Sequence, residues 1–201
     1  FTQMFDPSTK NTVFNGVLWT VAVEVQFYII FPIVAYFFKK KPIITYICMV
    51  TAAYLYIRFV VLKAENLGFM INQMPTFLGV YANGMMGALI FVNLANMLKR
   101  NKYISSAFTV TSLLLIYMIK LMLKYSLLSS QNNQIWQVEY RFILSLVFVM
   151  LIISLALSAK WLRFIFSNRV VRYLSAISYN LYIWHQMIAI RFKYGFGKNK
   201  A

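Results

Sequence analysis

Glu24, one of four acidic residues, and His185, the single histidine, are of types that move protons in this 201-residue chain. Both lie in apolar segments, where an ionisable side chain is costly and is by default a candidate functional group. A carboxylate and an imidazole suit either general acid–base catalysis or proton coupling in a transporter. We therefore take both as candidate catalytic residues, supporting or direct.

Glu24 belongs to a polar stripe on an apolar helix. Thr20, Glu24 and Tyr28 follow the i, i+4, i+8 spacing that places side chains on one helical face. Glu24 lies eight residues into its segment, about 12 Å below the outer membrane boundary. The alternative is a structural carboxylate, protonated or bonded to a neighbouring helix.

His185 is the single histidine, and it shares a helical face with Ser178, Tyr182 and Gln186. It lies roughly 8 Å from the end of its segment, a depth similar to that of Glu24. The two side chains are therefore predicted to line one cavity, although a lone histidine is also a common packing residue. One histidine and one glutamate do not make a metal site, and we predict none.

The composition of the chain indicates the environment that surrounds these side chains. The chain is 61% hydrophobic and 12% charged, with a mean hydropathy of +0.67, which predicts an all-α, polytopic transmembrane helical bundle. The net charge of +16 is typical of nucleic-acid binders, but here the basic residues punctuate apolar runs instead of forming one surface. We expect the lipid bilayer as a partner and no nucleic acid.

Apolar runs predict six membrane-spanning helices: 16–38, 43–62, 75–97, 103–123, 142–159 and 173–190. Ten of the twenty basic residues follow the first, third and fifth spans, so the positive-inside rule places those loops, Lys39 to Lys41 among them, in the cytoplasm. The basic C-terminal tail, with Arg191 and Lys193, disagrees with this orientation.

Other segments suggest packing or ligand contact. Gly79, Asn83 and Gly87 place small groups every four residues, which allows a second helix to approach closely. The segment 72–75 is predicted to shape the mouth of a cavity. In the predicted outer loop 129–140, Trp136 suits contact with a sugar face, although tryptophan is also common at membrane interfaces.

Two motifs together resemble a known family. LWTVAVEVQFY at residues 18–28, closing with Phe31 and Pro32, is similar to the WxLxxExxFYxxxP signature of the acyltransferase 3 family of integral-membrane acyltransferases. SYNLYIWH at 178–185 resembles that family's late SYxLYLWH helix. Between them, PTFLG at 75–79 with Gly84 matches a looser PxFxxG pattern, and Phe166 to Arg169 matches a short basic lead-in.

This resemblance implies an O-acyltransferase, most often an O-acetyltransferase, in a bacterial inner or plasma membrane. The donor substrate would be cytoplasmic acyl-CoA, no cofactor would be bound, and the acceptor would be a hydroxyl of an extracytoplasmic, cell-surface glycan. Glu24 would orient a histidine base, and His185 with Tyr182 would position substrate. Tyr28, Trp184 and Trp136 are further candidate substrate contacts.

The chain departs from the family in one respect. The family's catalytic element is a basic residue followed eleven positions later by histidine, but the residue eleven before His185 is Leu174. We therefore expect residues 1–201 to be part of a single larger domain, a fragment lacking the early catalytic helices and inactive alone. The alternatives are a proton-coupled transporter or flippase subunit for a glycan or lipid, and a non-catalytic membrane partner.

Overall fold

The computed structural model describes residues 18–98, 102–128 and 133–195, and within these ranges it contains helices and no strand. The all-α prediction is confirmed. The helices are α1 Leu18–Lys40, α2 Pro42–Phe59, α3 Leu67–Met70, α4 Leu78–Met97, α5 Lys102–Leu128, α6 Asn133–Leu157, α7 Lys160–Ser167 and α8 Arg169–Gly195, with short 3₁₀ turns at Val61–Lys63 and Met74–Phe77.

Five helical segments of the described residues are long and apolar enough to cross a membrane: Thr20–Lys40, Pro42–Lys63, Met74–Met97, Lys102–Ser126 and Gln134–Leu157. They agree with the first five predicted spans, and the polytopic architecture is confirmed. The sixth prediction, 173–190, lies on α8, which is helical but is not among these five. Ser175, Ser178, Asn180 and His185 reduce its apolar content.

Two boundaries differ from the sequence prediction. Helix α6 begins at Asn133, nine residues before the predicted span, so Trp136 lies on a helix instead of a loop. Contacts four residues apart stabilise this extension: Trp136 stacks on Tyr140 with ring centroids 5.5 Å apart, and Arg141 Nη2 donates to Gln137 Oε1 at 2.9 Å. Residues 129–132 of the predicted loop lie outside the described residues.

Helix α7 replaces part of a predicted basic loop. It carries Lys160 and Arg163, while Leu162 is buried and Trp161 and Phe164 are exposed. Exposed aromatic side chains among basic residues are typical of a helix that lies in the membrane interface. The loop's charge is therefore carried on an amphipathic helix.

Contacts divide the chain into two units, residues 1–29 with 167–201, and residues 30–166. In the second unit, α4 packs between α2 and α6, and α5 packs against α6. Along the α4 and α6 contact, Gly79 meets Phe142, Asn83 meets Ser145 and Gly87 meets Val149. This register advances in the same direction on both helices, so α4 and α6 are parallel, as the predicted alternating topology requires.

Asn83 is the polar centre of that packing, and it is 1% exposed. Its Oδ1 accepts from Tyr46 Oη at 2.8 Å, and its Nδ2 donates to Ser145 Oγ at 2.7 Å and to the Phe142 carbonyl at 3.3 Å. One amide therefore links α2, α4 and α6, because a buried polar group inside a bilayer must find its partners within the protein.

Replacing Gly87 with alanine should destabilise the protein by about 1–3 kcal/mol, because a Cβ there would overlap Val149 Cγ1 and force the two helices apart. Gly84 lies on the same helix, and no atom lies within 4 Å of the position that a Cβ would take there. Gly84→Ala should be neutral or stabilising by up to about 1 kcal/mol. Unfolding midpoints in detergent test both, and equal midpoints for the two variants would contradict the packing.

The orientation predicts that a cysteine at position 40 is shielded from membrane-impermeant thiol reagents in intact cells. The label would go into a Cys48→Ser background, because the native Cys48 is exposed on α2. Asn66→Cys is the matched control, since Asn66 is exposed and lies between α2 and α4 on the predicted outer side. Labelling at position 40 but not at position 66 would show that the orientation is the reverse of the predicted one.

Candidate functional site

The first unit exposes the polar stripe of α1. Val23 and Phe27 are 3% and 5% exposed and form the packed face, whereas Glu24 is exposed and Tyr28 is 64% exposed. No described residue bonds to the Glu24 carboxylate. The interpretation of Glu24 as a structural carboxylate tied to a neighbouring helix therefore finds no partner within residues 18–98, 102–128 and 133–195.

Pro32 leaves a second polar group on the stripe, the main-chain carbonyl of Tyr28. It lies inside α1 and has no amide hydrogen, so it cannot donate the helical bond that the Tyr28 carbonyl would accept. The stripe thus presents a carboxylate and, one turn further, a main-chain carbonyl that lacks its usual donor.

Helix α8 begins at a side-chain cap and carries the second candidate group. Asn168 Oδ1 accepts from the Val171 amide at 2.9 Å, which satisfies one of the amides left open at a helix N-terminus. The cap fixes the start of α8, and the helix then carries Tyr182, Trp184 and His185 at set angles around its axis.

A hydrogen bond joins the two motif helices within this unit. Thr20 Oγ1 lies 2.7 Å from Tyr182 Oη. Tyr182 also contacts His185, with ring centroids 5.6 Å apart. The structure therefore brings Thr20, Tyr182 and His185 together.

The imidazole of His185 is held in one tautomer. Its Nδ1 bonds to the main-chain carbonyl of Tyr182, and because a carbonyl only accepts, Nδ1 carries the hydrogen. In the neutral ring, Nε2 is then the acceptor, the form that takes a proton or receives a hydroxyl hydrogen.

The same contact sets the offset between the two candidate groups. If α1 and α8 run antiparallel, as the predicted topology requires, Glu24 lies four residues to one side of the Thr20–Tyr182 bond and His185 three residues to the other. At a rise of roughly 1.5 Å per residue, they are separated by about 10 Å along the axes. At this offset the two side chains would not bond to each other.

The other candidate contacts are distributed unevenly. Tyr182 and Trp184 are 39% and 54% exposed and lie on α8. Trp136 is half-buried on α6 in the second unit, stacked on Tyr140. Trp136 is therefore part of another unit from Glu24 and His185, and its role as a sugar contact stays a prediction.

Arg141 directly precedes the predicted span 142–159 and is not among the predicted site residues, but the structure makes it the centre of a polar cluster. Its Nη1 donates to the Ile71 carbonyl at 3.0 Å and to Thr76 Oγ1 at 3.2 Å, and its guanidinium lies 4.2 Å from the centre of the Phe77 ring. The sequence did contain a signal for this cluster. Arg141 directly precedes an apolar run, and Gln137 lies one helical turn before it.

The cluster borders a cavity of about 580 Å³ between α2, α4 and α6. Ile71 and Thr76, on either side of the predicted mouth segment 72–75, both line it. Within the described part of the chain, no three His, Cys, Asp or Glu side chains group in a way that could hold a metal ion.

Comparison with known proteins decides the family. The sequence model of the acyltransferase 3 family, described as an acyltransferase domain, matches residues 5–200. The chain belongs to the acyltransferase 3 family. The matched residues include both the polar stripe of α1 and the Tyr182–His185 pair.

One relative extends the comparison. The curated protein named "Putative acetyltransferase ORF330", from Acidianus two-tailed virus, is 23% identical over 177 residues, which is 87% of this chain and 49% of that protein. The chain thus spans about half the length of the curated relative it matches. No solved structure gives a significant match to this acyltransferase chain.

The Thr20–Tyr182 hydrogen bond predicts that substitutions at these two residues have non-additive effects on stability. Thr20→Val and Tyr182→Phe should each lower the free energy of unfolding by about 0.5–1.5 kcal/mol, and the double variant should lose no more than one of them, because both remove the same bond. Unfolding midpoints in detergent measure this. Tyr179→Phe is the control, since Tyr179 is exposed on the same helix, and additive losses would show that the bond does not hold α1 to α8.

Proposed function

We propose that this protein is a membrane-bound O-acyltransferase that transfers an acyl group, most often acetyl, from acyl-CoA to a hydroxyl of a cell-surface glycan. The observation that carries the proposal is the contact between the two family motifs, in which Thr20 bonds Tyr182 and Tyr182 carries His185. Family membership supports acyl transfer, and the donor and the glycan acceptor are our inference.

The reaction would proceed by attack on a thioester. The acceptor oxygen forms a bond to the acyl carbon while the bond from that carbon to the CoA sulfur breaks. The proton of the hydroxyl passes to a base and then to the departing thiolate, so that free CoA and the O-acyl ester are the products. A base with a near-neutral pKa serves this step best.

This chain would supply supporting groups for that step. The resemblance assigns the base to a histidine of the family's early element, which these 201 residues do not contain. Glu24, exposed and without a described partner, would orient that base or share its proton. His185 would accept a hydrogen bond from the acceptor at Nε2, because Nδ1 is already committed to the Tyr182 carbonyl.

Exposed aromatic side chains near these groups suit a sugar acceptor. Tyr28, Tyr182 and Trp184 present ring faces and a hydroxyl or an indole N–H at the surface of the first unit. Such amphipathic rings cover the apolar faces of sugars while their polar edges bond hydroxyls. Trp136, in the second unit, is also proposed as a sugar contact.

The proposal predicts loss of glycan acylation in cells that carry the full-length protein with Glu24→Gln or His185→Ala. Each change removes a group that assists proton transfer or orients the acceptor, so O-acylation should fall by on the order of 100-fold. The measurement is the O-acetyl content of purified surface glycan by mass spectrometry, at matched membrane levels of each variant.

Glu65→Gln is the matched control, because Glu65 is exposed and lies outside the two motifs. It should acylate like the parent protein. If Glu24→Gln and His185→Ala also acylate like the parent, the site assignment is wrong even though the family is right. If the parent releases no CoA from acyl-CoA in membranes containing glycan, the enzymatic proposal itself fails.

A further inference from the structure

The cavity of the second unit combines an apolar body with a charged end. Its lining includes Ala53, Ile57, Val80 and Phe142, and it also includes Arg58 and Arg141. Arg58 is one residue from the end of α2, and Arg141 bonds to the turn that precedes α4, so both lie at the same end of this helix group. Val50, which also lines the cavity, lies about 12 Å deeper along α2.

Arg141 brings a positive charge that its neighbours do not neutralise. Its three hydrogen-bond acceptors, the Ile71 carbonyl, Thr76 Oγ1 and Gln137 Oε1, are all uncharged. At least two of its five N–H donors remain. No carboxylate of the described residues lies within salt-bridge distance of it, and a half-buried cation with only neutral partners favours an anion beside it.

The other ionisable residues of the lining do not remove this charge. Arg58 adds one positive charge and Glu139 one negative charge, so the three ionisable groups carry a net charge of about +1. A guanidinium recognises phosphate through parallel N–H donors, and this makes it the side chain best suited to a phosphate head group.

The surroundings of the cavity are those of a lipid site. Tyr54 and Ile143 line it, and they are also 56% and 48% exposed on segments that are long and apolar enough to cross a bilayer. An acyl chain that leaves the bilayer would meet apolar walls along α2, α4 and α6. The phosphate would meet Arg141 at the end of the spans, at the depth of the head groups.

We propose that this cavity binds a lipid with a phosphate head group, held by Arg141, and an acyl or prenyl chain that lies against α2, α4 and α6. The site is independent of the proposed acyl transfer, because it lies within residues 50–143 and uses neither Glu24 nor His185. A bilayer phospholipid and a polyprenyl phosphate that carries a sugar share this chemistry.

The test measures the lipid that remains on the full-length protein after reconstitution in phosphatidylglycerol and extraction into mild detergent. Native mass spectrometry should find about one phosphatidylglycerol per chain, and Arg141→Gln should lower its occupancy by about tenfold or more, with Arg141→Lys retaining part of it. A neutral galactosyl diacylglycerol of the same chain length should be retained about tenfold less than phosphatidylglycerol.

A second pair of variants protects the test against misfolding at Arg141. Thr51→Trp fills the cavity from α2 and leaves Arg141 unsubstituted, because Thr51 lines the cavity. Ile47→Trp, one turn away, is exposed and does not contribute to the lining. Thr51→Trp should lose the lipid and Ile47→Trp should keep it.

Each outcome decides the proposal. Equal lipid occupancy in the parent, Arg141→Gln and Thr51→Trp overturns it, as does retention of the neutral lipid alone or the absence of any retained lipid. If Arg141→Gln loses the lipid and Thr51→Trp keeps it, the assigned chain path is wrong. Addition of polyprenyl phosphate identifies the source, because displacement of phosphatidylglycerol points to a carrier lipid and no displacement points to the bilayer phospholipid.

Discussion

The need to satisfy polar groups without water governs the second unit of this protein. Inside a bilayer, an unpaired amide or hydroxyl costs several kcal/mol, so each must bond within the chain. Asn83 meets this requirement by linking three helices, and Thr109 and Ser112 bond the carbonyls of the preceding turn of α5. The same requirement explains the small residues on the face of α4 that packs against α6. The Asn83 amide reaches Ser145 only because the glycines of this face let α6 approach closely.

The two units treat their polar groups in opposite ways. In the second unit, Asn83 and Thr76 are buried and fully engaged in specific bonds. In the first unit, Glu24 and Tyr28 are exposed on one stripe beside a helix that carries His185. Polar groups that stabilise a helical bundle form hydrogen bonds within it, whereas groups that contact a substrate must remain accessible. This contrast supports our proposal that acyl transfer takes place at the first unit.

Arg141 shows how a stabilising role and a binding role can coexist in one side chain. Its bonds to the Ile71 carbonyl and to Thr76 hold the segment before α4 against α6. These bonds use neutral acceptors, so they fix the position of the guanidinium and leave its charge available. An arginine positioned in this way is preorganised for an anion, which lowers the entropic cost of binding one.

The spanning helices were predictable from the sequence because their signal is local. A run of about 20 apolar residues is long enough to cross the bilayer, and charged residues end it. The first five spans therefore agree within a few residues at most ends. The start of α6 at Asn133 was not predictable in this way. It depends on the stacking of Trp136 on Tyr140 and on the hydrogen bond from Arg141 to Gln137, in a segment with little apolar content. Helix α7 was missed because eight amphipathic residues resemble a basic loop.

The sequence by itself determined the all-α membrane architecture, the motifs of the family and the types of the candidate groups, Glu24 and His185. Only the tertiary structure decided which of these residues meet: Tyr182 bonds Thr20, His185 is held by the Tyr182 carbonyl, and Trp136 lies in the other unit. The physical reason is the sequence separation of the residues that interact. Helix formation and membrane insertion depend on residues close in sequence, whereas a site depends on contacts such as Thr20 with Tyr182, which lie 162 residues apart.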